Sequence, residues 1–490
     1  MDLSNKKLKV LFVSAEVDPF AKTGGLADVA GSLPKELTLL GQDVRVLMPR
    51  YKSIDTELTY AADFPVEMGE RKETCIIKEG FMPVSGSKEV KVYFLENYHY
   101  FYRDSIYCYS DDAQRFILLC KAALEMLPYI DFKPDIIHCN DWHTGPLCLL
   151  LKEKYVKQDF YKDIATVYTI HNLEYQGNFS ADTCSFLNVD EEFFTYEKAE
   201  FYGMFSFMKC GLVHSDIINT VSQQYAREIL STAYGEKMEG ILNQRKKDLF
   251  GIVNGISYEE FNPEKNEELY AVYNSESVWN KKENKRKFQE EFGLAKSDAP
   301  LLAVITRLTQ QKGLELILGC IDSLIKEKDI QLAVLGIGDE YYHNAFKNFE
   351  KNYPDNVAVF LEFNPILAKK IYASADMFLM PSRFEPCGLG QIISFRYGTI
   401  PVVRATGGLA ETVIDYDRDS KNGNGFSFFD FNRREFEDTL NRAIHVYNEK
   451  PKEWEALVIK ALESDFSWKK PCLKYLELYK LALEIKKHIQ

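Results

Sequence analysis

No Cys-x-x-Cys pair occurs in this 490-residue chain, whose ten cysteines stand singly at 75, 108, 120, 139, 148, 184, 210, 320, 387 and 472. That scatter supports neither a zinc ribbon nor a thioredoxin-type redox motif, and cysteines within apolar runs read as small buried hydrophobes. No apolar run is long enough to span a bilayer. The amino end passes from a few polar residues into a strand without the apolar segment of a signal peptide, so the expectation is a cytoplasmic protein with no membrane partner. Positive charge is in deficit: 60 Lys and Arg face 73 Asp and Glu, a net charge of −13. Such a balance argues against nucleic acid as a partner but leaves room for a small anion in a local cationic pocket. Low-complexity runs and flexible linkers are missing too.

What is present is ample core material, with apolar residues at 46% and 62 tyrosines and phenylalanines. The length allows two to four domains. Short apolar, β-branched runs alternate with helical patterns. Leu8 to Ser14, a helix Leu26 to Leu40 closed by Gly41, and Val44 to Met48 form a βαβ unit. Strands are expected again at Val90–Leu95, Ile136–Cys139, Ala165–Ile170 and Ile217–Val221, with helices at Arg115–Leu127 and Cys148–Lys154. A polar, cationic helix at Lys281–Lys287 precedes a second alternation. Its strands are Leu301–Thr306, Ile330–Leu335, Val357–Leu361, Met377–Pro381 and Ile400–Arg404, and a helix spans Leu314–Glu327. A long helical pattern, Pro471 to Ile489, closes the chain. The fold class expected is α/β, with two doubly wound domains: residues 1–255, residues 256–466, and a final helical segment, 467–490.

The candidate chemistry sits at the ends of these strands. Lys22-Thr23-Gly24-Gly25 precedes a helix, so two Cβ-free positions, amide donors and a mobile cation are offered to an anion or a sugar. Gly407-Gly408-Leu409-Ala410-Glu411-Thr412-Val413 echoes it. Asp141, between His138 and His143, follows one strand and His171-Asn172 another; this pattern suits a sugar better than a metal, because no helical i, i+4 ligand pair is present. Arg307 and Lys312, five residues apart, have the reach to hold a diphosphate, or else are two solvated cations. Leu335-Gly336-Ile337-Gly338-Asp339 begins like a dinucleotide fingerprint, but Tyr341 stands where the third glycine belongs, which weakens a nicotinamide reading. In Ser382-Arg383-Phe384-Glu385-Pro386-Cys387-Gly388-Leu389-Gly390, Glu385 is suited to sugar hydroxyls and the amides of 388–390 to a phosphate.

Together KTGGLADV (22–29), CNDWHTG (139–145), HNLEYQG (171–177), VNGI (253–256), RLTQQKG (307–313), LGIGD (335–339), PSRFEPCGLGQ (381–391) and RATGGLAETV (404–413) resemble the bacterial glycogen synthases and plant starch synthases. The resemblance implies a GT-B fold: two Rossmann-like domains with an active-site cleft between them and a C-terminal helix returning to the first. It implies transfer of glucose from a nucleotide sugar, ADP-glucose foremost, to the non-reducing end of an α-1,4-glucan with retention of configuration, without metal or cofactor. The catalytic set implied is Glu385, His171, Lys312, Arg307 and Asp141. Donor or substrate contacts would come from Lys22, Gly24, Gly25, Asn254, Phe363, Cys387, Gly388, Leu389 and Gly390. The chain departs from the family at Gly390, where a threonine is usual, and at Phe363, where a tyrosine is. It departs again at Ser257, where an aspartate follows Asn-Gly-Ile. A UDP-glucose-dependent synthase, another retaining GT-B transferase, and a non-catalytic glucan-binding homologue remain as alternatives.

Overall fold

In the computed structural model, residues 6–84, 86–189, 191–416 and 423–489 are described. They fall into two units, one of residues 1–254 with 468–490 and one of 255–467. Among the described residues, unit 1 is built on a nine-stranded sheet beside a small three-stranded one. Its strands, in chain order, are β1 (Lys9–Val13), β2 (Asp43–Pro49), β3 (Thr59–Met68), β4 (Arg71–Pro83), β5 (Glu89–Glu96), β6 (Ile136–Asn140), β7 (Ala165–Ile170), β8 (Asn178–Phe179), β9 (Glu200–Phe201), β10 (Met204–Ser206), β11 (Ile217–Thr220) and β12 (Leu249–Gly251). The large sheet runs β12-β11-β7-β6-β1-β2-β5-β4-β3. It is parallel from β12 to β5 and antiparallel where β4 and β3 extend it. The chain leaves β1 toward β2 and later returns to β6 on the other side, so the strand order reverses at β1. Ligands of open α/β sheets bind outside the carboxyl ends at such a point.

Most parallel strands formed where expected because burial on both faces demands continuous apolar runs, but the three-residue β12 and the three-residue strand Phe426–Phe428 of unit 2 were not foreseen. Ala165–Ile170 is buried at every position. The β3–β4 extension was not expected: β3 alternates exposed and buried residues, with Asp63 and Glu67 on its outer face. One solvated face makes such a strand look polar. The helix Lys469–Ile489 packs on unit 1, where Tyr475, Tyr479 and Ala482 join the core.

Unit 2 carries a six-stranded, wholly parallel sheet of β13 (Leu301–Ile305), β14 (Gln331–Leu335), β15 (Val357–Phe360), β16 (Met377–Met380), β17 (Ile400–Arg404) and β18 (Phe426–Phe428). The order β15-β14-β13-β16-β17-β18 places its reversal between β13 and β16. The cationic helix is longer than expected, Asn280–Phe292, and two of its lysines, Lys281 and Lys285, are buried. Lys281 Nζ donates to the carbonyls of Tyr372, Ala373 and Tyr397 and to Thr399 Oγ1 at 2.8–3.1 Å. Lys285 bonds the Ala299 carbonyl and Asp376 Oδ2. Both neutralise carbonyls at chain turns, as cations do at helix C-termini. Nine cysteines are buried and Cys108 is exposed. No described helix is long and apolar enough to cross a membrane.

Candidate active site

In unit 1 the loop leaving β1 is organised by Glu16, which is 3% exposed. Its carboxylate accepts the Thr23 amide (2.5 Å), the Gly24 amide (3.3 Å), the Thr23 hydroxyl (2.7 Å) and the Tyr107 phenol (2.5 Å). A buried carboxylate is tolerable only with such a set of donors. Tyr107 is in turn placed by Arg115, a fully buried guanidinium that donates to the Tyr100 and Ile106 carbonyls at 2.7 and 2.9 Å and pairs with Asp112. Lys22 bonds Asp28 at 2.5 Å, with Asp18 at 3.8 Å. Gly24 is extended and precedes the helix Gly25–Leu39; a Cβ there would meet nothing within 4 Å. A cleft of about 550 Å³ opens beside this loop, lined by Phe20, Lys22, Thr23, Ser53, Asp104 and Tyr107 among others.

Asp141 and His171 sit at the adjoining ends of β6 and β7. Asp141 has φ 61° and ψ −177°, a conformation that only glycine adopts without strain. Burial pushes its carboxyl up to about 8, against the opposing pull of the His171, Trp142 and Asn172 amides, and its Oδ1 makes no hydrogen bond among the described residues. His171 Nε2 lies 3.0 Å from Asn140 Oδ1, and removal from water holds its imidazole down at about 3. Gly177, at φ +58°, ends the HNLEYQG loop because the Trp142 ring fills the space a Cβ would need, 2.3 Å away. His143 stacks on Tyr107, meets Phe116 edge-on and lies tilted against Trp142, and neither of its buried ring nitrogens has a hydrogen-bond partner among the described residues. His138, also expected near a ligand, faces the core instead. Its nitrogens bond Tyr479 (2.8 Å) and Thr169 (2.7 Å), tying the helix Lys469–Ile489 to the sheet. Asn254 is buried, its Oδ1 also unpartnered among the described residues.

In unit 2 the expected residues gather after β13 and β16. Lys312 ends a single 3-10 turn, Gln310–Lys312, and Gly313, at φ +66°, lets that turn press on the Pro381 carbonyl. The Arg383 amide donates to the Gln311 carbonyl at 2.9 Å, joining the two loops. Lys312 Nζ thereby reaches both oxygens of Glu385, at 2.7 and 3.0 Å, while Ser382 Oγ donates to Glu385 at 3.0 Å. Arg307 is exposed and makes no ion pair among the described residues. Gly407 and Gly408 pack on the carbonyls of Glu385 and Cys387, where Cβ atoms would lie 1.9 and 2.1 Å away. The echo of 24–25 therefore serves close backbone packing. Gly336 and Gly338 are likewise spent on the Thr306 and Leu308 carbonyls, so LGIGD braces the β13 exit. Cys387 is buried, Gly388 takes φ +73°, and Leu389 and Gly390 are partly exposed. A Cβ at Gly390 would stand 2.7 Å from the Phe378 ring, so the glycine matches its packing partner. Phe363, beyond β15, is 72% exposed.

The starch synthase catalytic domain family matches residues 9–244, and glycosyl transferases group 1 matches 285–458. A glycogen synthase of Moorella thermoacetica is 50% identical over 480 residues, covering 98% of each chain. The chain belongs to the glycogen/starch synthase family. A second such synthase, from Desulforudis audaxviator, is 49% identical, with 98% of this chain and 97% of its own covered. The catalytic domain of starch synthase IV from Arabidopsis thaliana, solved with ADP and acarbose, superposes with a TM-score of 0.91 at 33% identity, covering 98% and 100%. A sucrose-phosphate synthase from Thermosynechococcus elongatus, at 16% identity and TM-score 0.60, shares the fold. The GT-B architecture and membership of an enzyme family of glycosyltransferases follow. Two residues of this synthase family member, Glu16 and Tyr107, escaped the sequence reading, whereas Asn140 and Ser382 lay inside motifs read there without a role of their own.

Proposed function

We propose that this chain transfers glucose from ADP-glucose to the non-reducing end of an α-1,4-glucan with retention. The observation that carries this reading is the Lys312–Glu385 pair, whose carboxylate is buried, in a loop joined to the one that follows β13 and Arg307 at the sheet reversal of unit 2. The bond from glucose C1 to the diphosphate oxygen breaks, and negative charge collects on the departing diphosphate. Arg307 and Lys312 stabilise that charge, and cations held in place need no reorganisation to do so. Glu385 is engaged by an ammonium and a hydroxyl, which suits a carboxylate that holds sugar hydroxyls and blunts it as a nucleophile. The C1–O bond to the acceptor then forms on the face the diphosphate leaves, and the acceptor proton passes to a diphosphate oxygen. The amides of Cys387 to Gly390 support sugar and phosphate. Asp141, protonated at neutral pH by its burial, donates a hydrogen bond on the acceptor side, and Lys22 lines the same side. Phe363 offers a ring face to the base.

A second reading keeps the chemistry and exchanges the nucleotide. Phe363 presents a face with no hydroxyl to read a base edge, so UDP-glucose is the alternative donor. Incubation with glycogen and glucose-labelled ADP-glucose or UDP-glucose decides between them. Label released by an α-1,4-specific glucosidase after incubation with ADP-glucose supports the proposal; incorporation from UDP-glucose alone moves it to the second reading. Incorporation from neither overturns both.

A further inference from the structure

The buried amide of Asn140 lies between a fixed backbone and the imidazole of His171. Asn140 is wholly buried at the end of β6, paired across the ladder with Thr169. Its Nδ2 lies 3.1 Å from the Val13 carbonyl and 3.3 Å from the His138 carbonyl. Carbonyl oxygens only accept, so the NH₂ must face them and Oδ1 must face the other way. What it faces is His171 Nε2, 3.0 Å off. An amide oxygen offers that nitrogen no proton. The hydrogen on the bond therefore belongs to His171.

We infer that Asn140 is a positioning residue that fixes His171 as the Nε2–H tautomer and so presents Nδ1 as a lone pair. The other bond a histidine makes decides which nitrogen is free to act. His171 Nδ1 makes no hydrogen bond among the described residues, and the ring is partly exposed where β7 ends. A neutral ring with that tautomer accepts a hydrogen bond and cannot donate one from Nδ1. The chemistry it recognises is thus a sugar hydroxyl; a diphosphate oxygen, which needs a donor, is excluded. This assignment of the ligand group rests on the proposed transferase reading, whereas the tautomer itself does not.

Long-range proton–nitrogen correlation on the full chain labelled with ¹⁵N-histidine reads the tautomer directly, with His171 assigned by its loss in His171→Gln. Expected at neutral pH is a protonated Nε2 and an unprotonated Nδ1, with Asn140→Ala shifting His171 to a mixture or to Nδ1–H. An Nδ1–H ring in the unsubstituted protein overturns the inference, as does an unchanged tautomer in a folded Asn140→Ala. If Asn140→Ala does not fold, the unsubstituted spectrum decides, with Asn140→Ser as the second variant. In the glucosyl-transfer assay Asn140→Ala is expected to lower kcat/KM about tenfold, the equivalent of one hydrogen bond. Failure of the transferase reading would remove that assay and leave the spectra standing.

Discussion

Replacing Asp141 by asparagine should make the protein more resistant to unfolding, and more so the higher the pH. Asparagine keeps the side chain's shape and its ability to accept from the neighbouring amides, but it cannot ionise. In the native protein the carboxyl is raised from 3.8 to about 8 by burial. The native state therefore holds a proton that the unfolded chain has released, and stability conferred by that proton is complete below pH 3.8 and lost as pH rises through about 8. A tenfold difference in proton affinity between the two states is worth about 1.4 kcal/mol. Between pH 5 and pH 8 the native protein should lose about 3–4 kcal/mol relative to Asp141→Asn. Since a hydrogen bond gained or lost by the substitution counts equally at both pH values, the difference between them isolates the ionisation. For a unit of this size that amounts to roughly 6 °C in Tm. Thermal unfolding of both proteins at pH 5 and pH 8, followed by circular dichroism, measures it. A gap between the two melting temperatures that is the same at both pH values would refute the reasoning. Turnover should fall in the same variant, since the residue's φ of 61° is strain retained at a site rather than in a scaffold.

Lys312→Ala should lower turnover by about two to three orders of magnitude through loss of one preorganised charge, and Glu385→Ala comparably. Near-normal turnover at saturating donor in either variant removes that residue from the mechanism. Gly390→Thr should destabilise unit 2 by about 1–3 kcal/mol by forcing its side chain against Phe378, and the loss should shrink in a Phe378→Leu background. Equal losses in the two backgrounds, by denaturant titration, would contradict that contact. Tyr479→Phe keeps the ring and strands a buried His138 nitrogen, so a loss of about 1–3 kcal/mol is expected. A loss under about 0.5 kcal/mol in urea unfolding would show the bond to be dispensable.

The fold was legible at most strands buried on both faces, though β18, only three residues long, passed unread. Ala165–Ile170 and Ile400–Arg404 stand with the bounds read from the sequence, and most others differ by a residue or two. It was illegible at β3 and β4, whose exposed faces carry Glu, Lys and Asp and break any apolar run. The burial of Lys281 and Lys285 was unreadable for a related reason: sequence shows charge but not the carbonyls and the carboxylate that some 90 to 115 intervening residues bring to it. At the site, residues that end strands could be named in advance. Glu16 could not, because its task is defined by Tyr107, 91 positions away. The two Gly-Gly-Leu-Ala stretches show the opposite failing. Alike in letters, they differ in cause, since Gly407 takes φ +46° against a carbonyl and Gly24 is extended with open space at its Cβ.

Because residues 468–490 belong to unit 1, unit 2 is inserted within its sequence. A ribosome working at about 5–20 residues per second would spend roughly ten to fifty seconds on that insertion. Throughout that interval His138 and Asn219 are already synthesised while Tyr479 and Tyr475, their partners, are not. The nascent first unit must therefore wait with these polar groups, and the apolar surface that Tyr475 and Tyr479 will cover, still exposed.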